Sequence, residues 1–386
     1  MNSARLIEKV QSAHQTLYGK PASHTSLAPG RVNLLGEHTD YNDGFVLPAA
    51  IDFFTCVSGT ANDGGSVSVT ALDFDGDVDH FDPQIEILPS DSAKWKNYIR
   101  GAFHILKNSG YPVLGCDLTI SGNIPKAAGL SSSASLEVAL LNTLSELFKL
   151  DLSKTEISIL GQKIEIEYVG LSCGIMDQLS CACGQKGHAL MIDCQDLNIN
   201  AVSIPPSLSL MIVNSNVERQ LTNSGYNDRR RDCEMAADLL GINSLREISL
   251  RQFRERVDIL PPRVAKRVEH VLTENDRVVG MVSALDEGNT ARISKLMAES
   301  HHSMSNHYEI TTPEIDFLVK IIDIVVGKQG GVRMTGGGFG GCVIALLPDN
   351  LITDVQDAID RQYEAKTSLI STTYICRSTD GVKLIV

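Results

Sequence analysis

No GxxxxGK[ST] motif occurs anywhere in the 386 residues, which excludes the Walker P-loop class of nucleotide-binding proteins. No apolar run approaches the length of a membrane span, and residues 1–10 form a polar amphipathic helix pattern without the apolar centre of a secretory signal. Positive charge is scarce. The 34 Lys and Arg stand against 47 Asp and Glu, a net charge of −13 that argues against nucleic acid or an anionic membrane as the main partner. The nine cysteines are odd in number, scattered and mostly set among apolar residues, with no CxxC pair. They read as reduced core thiols of a cytoplasmic protein, and Cys181 and Cys183 lack the partner spacing of a zinc site. Internal repeats and low-complexity linkers are also missing.

What is present is enough apolar sequence, 43% of the chain, for two sizeable cores. Short β-like runs fill residues 27–81, with Asp75-Gly76 as a hairpin turn. Helical patterns follow at 95–109, 132–150 and 156–168. Pro205-Pro206 stops a strand and marks a boundary, giving expected domains 1–205 and 206–386. The second half opens with a strand at 208–213 and alternates helices near 224–240, 262–274, 289–305 and 313–326 with strands near 331–334 and 342–347. The fold class is α+β.

Four segments carry chemistry. The loop PKAAGLSSSAS at 125–135 runs into a helical pattern in which Leu136, Ala139, Leu140, Thr143, Leu144, Leu147 and Phe148 recur at three- and four-residue steps. The first turn of such a helix points free N–H groups at the loop, which favours an anion, and a hydroxyl such as that of Ser133 can ligate the accompanying magnesium. An ordinary serine-capped helix is the competing reading. GGGFGG at 336–341 fits GxGxxG, but CVIALLP follows at 342–348 and reads as a strand, so a Rossmann turn is excluded. So many glycines point to close backbone approach to a ligand or another loop, with a plain connector as the competing reading.

GRVNLLGEHTDYNDG at 30–44 gathers a guanidinium, a Glu, a His, an Asp and amides in one segment, an inventory for binding a polyol. A polar surface turn would look similar. In CGIMDQ at 173–178, Asp177 stands among apolar neighbours, where an acid needs a positive partner, and Arg31 is the natural one. Glu165, twelve residues earlier on a helical pattern, can offer a carboxylate to magnesium or be an exposed helix residue.

Three of these segments, PKAAGLSSSAS, GRVNLLGEHTDYNDG and GGVRMTGGGFGGCVIAL at 330–346, resemble the three motifs of the GHMP family of small-molecule kinases. GEHTDYNDG together with CGIMDQ is similar to its galactokinase branch, and the match spans nearly the whole chain. The resemblance implies an N-terminal ribosomal-protein-S5-like domain and a C-terminal ferredoxin-like domain with the active site between them. It implies ATP-dependent phosphorylation of α-D-galactose at the anomeric hydroxyl, with galactose and ATP as partners and Mg2+ as cofactor. By the same resemblance Glu37, His38, Thr39, Asp40, Gly174 and Tyr226 would contact the sugar, Asp177 would be the base, and Arg31 would stabilise the transferring phosphoryl group. Ala127, Ala128, Gly129, Leu130, Ser131, Ser132 and Ser133 would cradle ATP, with Ser133 and Glu165 on magnesium. An N-acetylgalactosamine kinase and a non-catalytic galactose sensor are the alternatives. The expected protein is a cytoplasmic monomer or weak oligomer.

Overall fold

The computed structural model describes residues 2–125, 128–218 and 222–385. Its first half is built on a six-stranded sheet in the order Lys383–Ile385, His24–Asn33, Pro48–Ala61, Cys116–Gly122, Val67–Ala71, Asp77–Phe81. The pairings are antiparallel except that of Val67–Ala71 with Cys116–Gly122. Asp75 and Gly76, at φ +54° and +73°, close the hairpin between Val67–Ala71 and Asp77–Phe81. The helix Ser132–Phe148 lies on this sheet and buries Val138, Leu140, Leu141 and Leu144 beside Val57 and Leu118. Burial of that order, about 25 cal/mol per Å² of apolar surface, is what fixes the helix N-terminus in place.

The second half carries an antiparallel four-stranded sheet, Gly331–Thr335, Cys342–Pro348, Leu208–Asn214, Thr372–Cys376, with the helices Thr290–Ser303 and Pro313–Val326 against it. Residues 342–348 are thus a strand, as the sequence pattern required, and the glycine run before them opens no helix. Pro205-Pro206 falls between the strands Asn198–Ser203 and Leu208–Asn214. The chain does not stay in its second half, because Lys383–Ile385 returns to pair with His24–Asn33. Several elements had no clear sequence signal, among them the helices Leu250–Arg256 and Ile352–Thr367 and the strand Thr372–Cys376.

One apolar cluster belongs to both halves, with Val32, Leu34, Leu35 and Ile51 packed with Leu210, Ile212, Met281 and Ile344. An interface of that kind resists relative motion far better than a polar hinge.

Candidate active site

Arg31, on the strand His24–Asn33, and Asp177, in the first turn of the helix Met176–Cys183, meet in the wall of a cavity of about 310 Å³. The guanidinium holds the carboxylate by two bonds, Nε to Oδ1 at 2.7 Å and Nη2 to Oδ2 at 2.6 Å. Nη1 donates to the Gly129 carbonyl at 2.8 Å, which ties the strand, the helix and the small-residue loop together. Burial opposes the charge on Arg31, but Asp177 outweighs it and holds the guanidinium above its usual range.

The loop residues divide by role. Ser131 was expected on ATP, or as a plain helix cap, and is neither through its side chain. It sits at φ +59°, makes no capping bond and donates its hydroxyl to Asp177 Oδ2. Ala128 and Leu130 bury their side chains in the core, so only their backbones can face a ligand. The Leu130 carbonyl accepts from Arg31 N at 3.2 Å, and a Cβ on Gly30 would come within 2.6 Å of that oxygen, which explains the glycine. Ser132 and Ser133 face a second cavity of about 590 Å³, walled by Phe74, Trp95, Tyr98, Ile124 and Leu136. Ala127 lies outside the described residues.

Glu165 stands on a π turn, Ile164–Val169, a geometry that recurs at functional positions. Burial raises its carboxyl, while a hydrogen bond from Ser133 works the other way. Glu137, four residues after Ser133 on the same helix face, is wholly buried. Its Oε2 accepts from Gln178 Nε2 at 3.0 Å and its Oε1 faces no donor. Burial, then the neighbouring Glu165, push the Glu137 carboxyl well above the usual range. Among the described residues no three His, Cys, Asp or Glu side chains form a metal cluster. The Ser133 and Glu165 oxygens are instead the partial set that suits Mg2+ when phosphate and water complete its shell.

Across the first cavity stand Glu37, His38, Asp40, Gly174 and Tyr226, with Gly336 and Gly337 of the glycine run. Glu37 Oε1 receives three bonds from the second half, from Arg333 Nη2 at 2.8 Å, Thr335 Oγ1 at 3.0 Å and Gly336 N at 2.9 Å. His38 adopts φ +61°, and burial, then the charge of His270, push its pKa down to about 3, so the ring is neutral. Asp40 is raised to about 7 by burial and then by the negative charge of Asp177. Gly174 is required by contact, since a Cβ there would fall 1.9 Å from Asp40 Oδ2. Thr39 departs from the expectation. It is wholly buried and absent from the cavity wall, with its hydroxyl 2.8 Å and 2.7 Å from the Gly36 and Phe45 carbonyls, where it closes the turn that aims its neighbours.

Sequence reasoning missed what holds this turn. The helix Pro262–Asp286 reaches it through Glu274 to Gly36 N at 3.0 Å, Asn275 to Phe45 N at 2.8 Å and His270 to the Glu37 carbonyl at 3.1 Å. Arg333 adds Nε to the Leu34 carbonyl at 2.6 Å. Its place just before the glycine run was the one available signal.

Residues 97–185 match the GHMP kinases N terminal domain, 281–365 match GHMP kinases C terminal, and 12–61 match the galactokinase galactose-binding signature. The chain is also similar to the solved Lactococcus lactis galactokinase complexed with galactose, at 32% identity and a TM-score of 0.92, over 98% of this chain and 99% of that one. The chain belongs to the galactokinase family of GHMP kinases. Its fold extends further, to the mevalonate kinase of Methanococcus jannaschii at 20% identity and TM-score 0.67, over 93% of this chain and 99% of that one. It extends likewise to the homoserine kinase of Cytophaga hutchinsonii at 19% and 0.62, over 94% and 97%. At such identities the likeness concerns the fold alone. In this kinase the galactose-binding signature covers Glu37 to Asp40, and the N-terminal match covers the loop, Glu165 and Asp177. The glycine run lies in the C-terminal match.

Proposed function

We propose that this kinase transfers the γ-phosphoryl group of ATP to the anomeric hydroxyl of α-D-galactose, releasing ADP and galactose 1-phosphate. The observation that carries the reading is the Arg31–Asp177 pair opening on the same cavity as Glu37 and Asp40. At about 310 Å³ that cavity is at the small end of ligand sites, as a single hexose requires. In this reading the sugar lies against Glu37, His38, Asp40, Gly174 and Tyr226. The ATP phosphates lie over the backbone of 128–131 at the N-terminus of the helix Ser132–Phe148, and the adenine lies in the apolar cavity beside Trp95 and Phe74.

Asp177 Oδ2 already takes bonds from Arg31 and Ser131, whereas Oδ1 takes only one, so Oδ1 keeps a lone pair for the proton of the attacking hydroxyl. Arg31 retains one N–H on each terminal nitrogen after its bonds to Asp177 and Gly129, and these can meet the charge on the transferring group. Such catalysis is mostly positioning and charge stabilisation. Ser133 and Glu165 would hold Mg2+, which neutralises phosphate charge when bound.

A coupled ADP-release assay over a panel of hexoses, with the product examined by phosphorus NMR, tests the reading. Turnover of galactose to an anomeric phosphate is expected, with glucose and N-acetylgalactosamine poor. Turnover of another sugar without galactose overturns it. No helix among the described residues is long and apolar enough to cross a membrane, and we read the enzyme as a cytoplasmic monomer or weak oligomer.

A further inference from the structure

The helix Met176–Cys183 carries Asp177 but is only 8 residues long, too short to hold itself in place. What holds its far end comes from a distant part of the chain. The strand Thr372–Cys376 of the second half ends, and residues 377–385 run back across the first half as a strap. Arg377 N donates to Asp52 Oδ1 at 3.0 Å and Thr379 N to the Ala50 carbonyl at 3.0 Å, which lays the strap along the strand Pro48–Ala61. It then meets the helix. Val382 N donates to the Cys181 carbonyl at 2.8 Å and Gly381 N to the Gly184 carbonyl at 2.7 Å. In the opposite sense Lys186 N donates to Asp380 Oδ1 at 3.0 Å and Gly187 N to Ser378 Oγ at 2.8 Å. Residues 383–385 then pair with Leu27, Ser26 and Thr25 of the strand that bears Arg31.

Chain segments of this kind fray unless they are tied down, and this one is tied at every step. A helix leaves carbonyls unpaired in its last turn, and the Val382 amide satisfies that of Cys181 from outside. The contact is also close-packed. A Cβ on Gly381 would fall 2.3 Å from the Ala182 carbonyl oxygen and 2.7 Å from Gly184 N, backbone atoms that move only if the helix end moves with them. The Val382 side chain is buried in the same apolar cluster as Cys181, Ala182 and Ala134, the last of these on the helix Ser132–Phe148. The strap thus bonds to the strand under Arg31 and to the helix under Asp177, and shares a core with the helix that follows the phosphate loop.

We infer that residues 377–385 are a positioning element for the catalytic pair, and that Gly381 is the residue whose close contact sets where the Asp177 helix stands. Catalysis by positioning makes that placement matter, since a displacement of about 1 Å imposed from outside the site can cost about 10²-fold in rate. The sugar turn is held separately, by Arg333, Glu274 and Asn275. The strap therefore governs turnover and leaves galactose binding to the turn. This inference rests on the phosphoryl-transfer reading of the Arg31–Asp177 pair.

The test is Gly381→Ala in the full-length protein, read by steady-state kinetics, galactose calorimetry and amide hydrogen exchange. The added methyl should push the helix end off the strap and lower kcat about tenfold to a hundredfold. Galactose affinity should stay within about threefold of the wild type. Exchange should quicken over residues 176–187 and keep its wild-type rate over residues 33–45. Wild-type kcat in the folded variant overturns the inference. A parallel fall of kcat and galactose affinity, with exchange quickened in both segments, also overturns it, because that is general loss of the fold. Should Gly381→Ala not fold, the double variant Ser378→Ala, Asp380→Ala removes two ties to residues 186–187 without adding volume. It should lower kcat about threefold, the size of weakened hydrogen bonding, and wild-type kcat in that protein overturns the inference. A wild type that phosphorylates no sugar overturns the reading of the pair and this one together, whereas an unimpaired Gly381→Ala overturns this one alone.

Discussion

Glu37 and Asp40 stand three residues apart in one turn, face one cavity, and have opposite circumstances. Glu37 has an oxygen saturated by Arg333, Thr335 and Gly336, all from the other half of the chain. Among the described residues Asp40 has no such set of donors; it has a backbone contact from Tyr41 and the charge of Arg31 in its favour, and faces the like charge of Asp177. The first acid is part of the scaffold and can only offer what remains of it to a ligand. The second is left wanting donors, which a polyol supplies through its hydroxyls. Recognition in this turn thus combines a fixed acceptor with one whose charge the substrate completes.

The largest expected effect concerns the residue both acids surround. Asp177→Asn keeps shape and most hydrogen bonding but loses the lone pair and charge for the proton, and should lower kcat about 10²–10⁴-fold. Galactose and ATP should still bind by calorimetry. A near wild-type kcat in folded protein would remove Asp177 from the mechanism. Next is the fixed acid. Arg333→Met leaves Glu37 buried without its cation and should cost about 3–5 kcal/mol in denaturant unfolding, whereas the double variant with Glu37→Gln should recover part of it. Equal stabilities of the single and double variants would deny the anchoring role.

The responsive acid gives a pH signature. In the empty fold Asp40 titrates near 7, against 3.8 ordinarily. Between those values the native state holds a proton that the unfolded chain has lost, so Asp40 makes stability fall as pH rises through that window. Asp40→Asn should remove this slope and stabilise the empty protein by about 1–3 kcal/mol at high pH, after allowance for partial solvent access. Thermal melts across pH would show it, and parallel curves for both proteins would refute it. The smallest effect lies furthest from the turn. Glu165→Ala should raise the magnesium concentration needed for half-maximal nucleotide binding about tenfold, equivalent to ~1.4 kcal/mol. Calorimetry should find galactose affinity unchanged, and an unaltered magnesium titration would sink the assignment.

Much of the site was legible because its residues are clustered in short segments with distinctive chemistry. Arg31, Glu37, His38 and Asp40 fall within ten residues, and an acid at Asp177 between apolar neighbours demanded a cation that Arg31 supplies at 2.6 Å. Where the Ser131 and Thr39 side chains point was not legible, for the same reason. A hydroxyl inside a motif carries no mark of where it points, and these two point inward, to Asp177 and to two backbone carbonyls. The strand Thr372–Cys376 escaped notice because its apolar residues are few and mostly exposed, whereas the helix Ile352–Thr367 buries Val355, Ala358, Ile359 and Tyr363 at helical spacing, a stripe that went unread.

Residue type and local spacing alone determined the phosphate-loop helix, the strand after the glycine run, the polyol inventory and the pairing of Arg31 with Asp177. Those follow from periodicity, backbone freedom and the cost of an unpaired buried charge, all of which act within a few residues or between obvious partners. Only the tertiary structure decided which acid is anchored and which is free, and how the Pro262–Asp286 helix and Arg333 fix the sugar turn. Those depend on contacts between residues some 230 to 300 positions apart, as with His270 and Glu37 or Arg333 and Asn33. No local pattern encodes such distances, because each contact is set by how distant parts of the chain share one apolar interface.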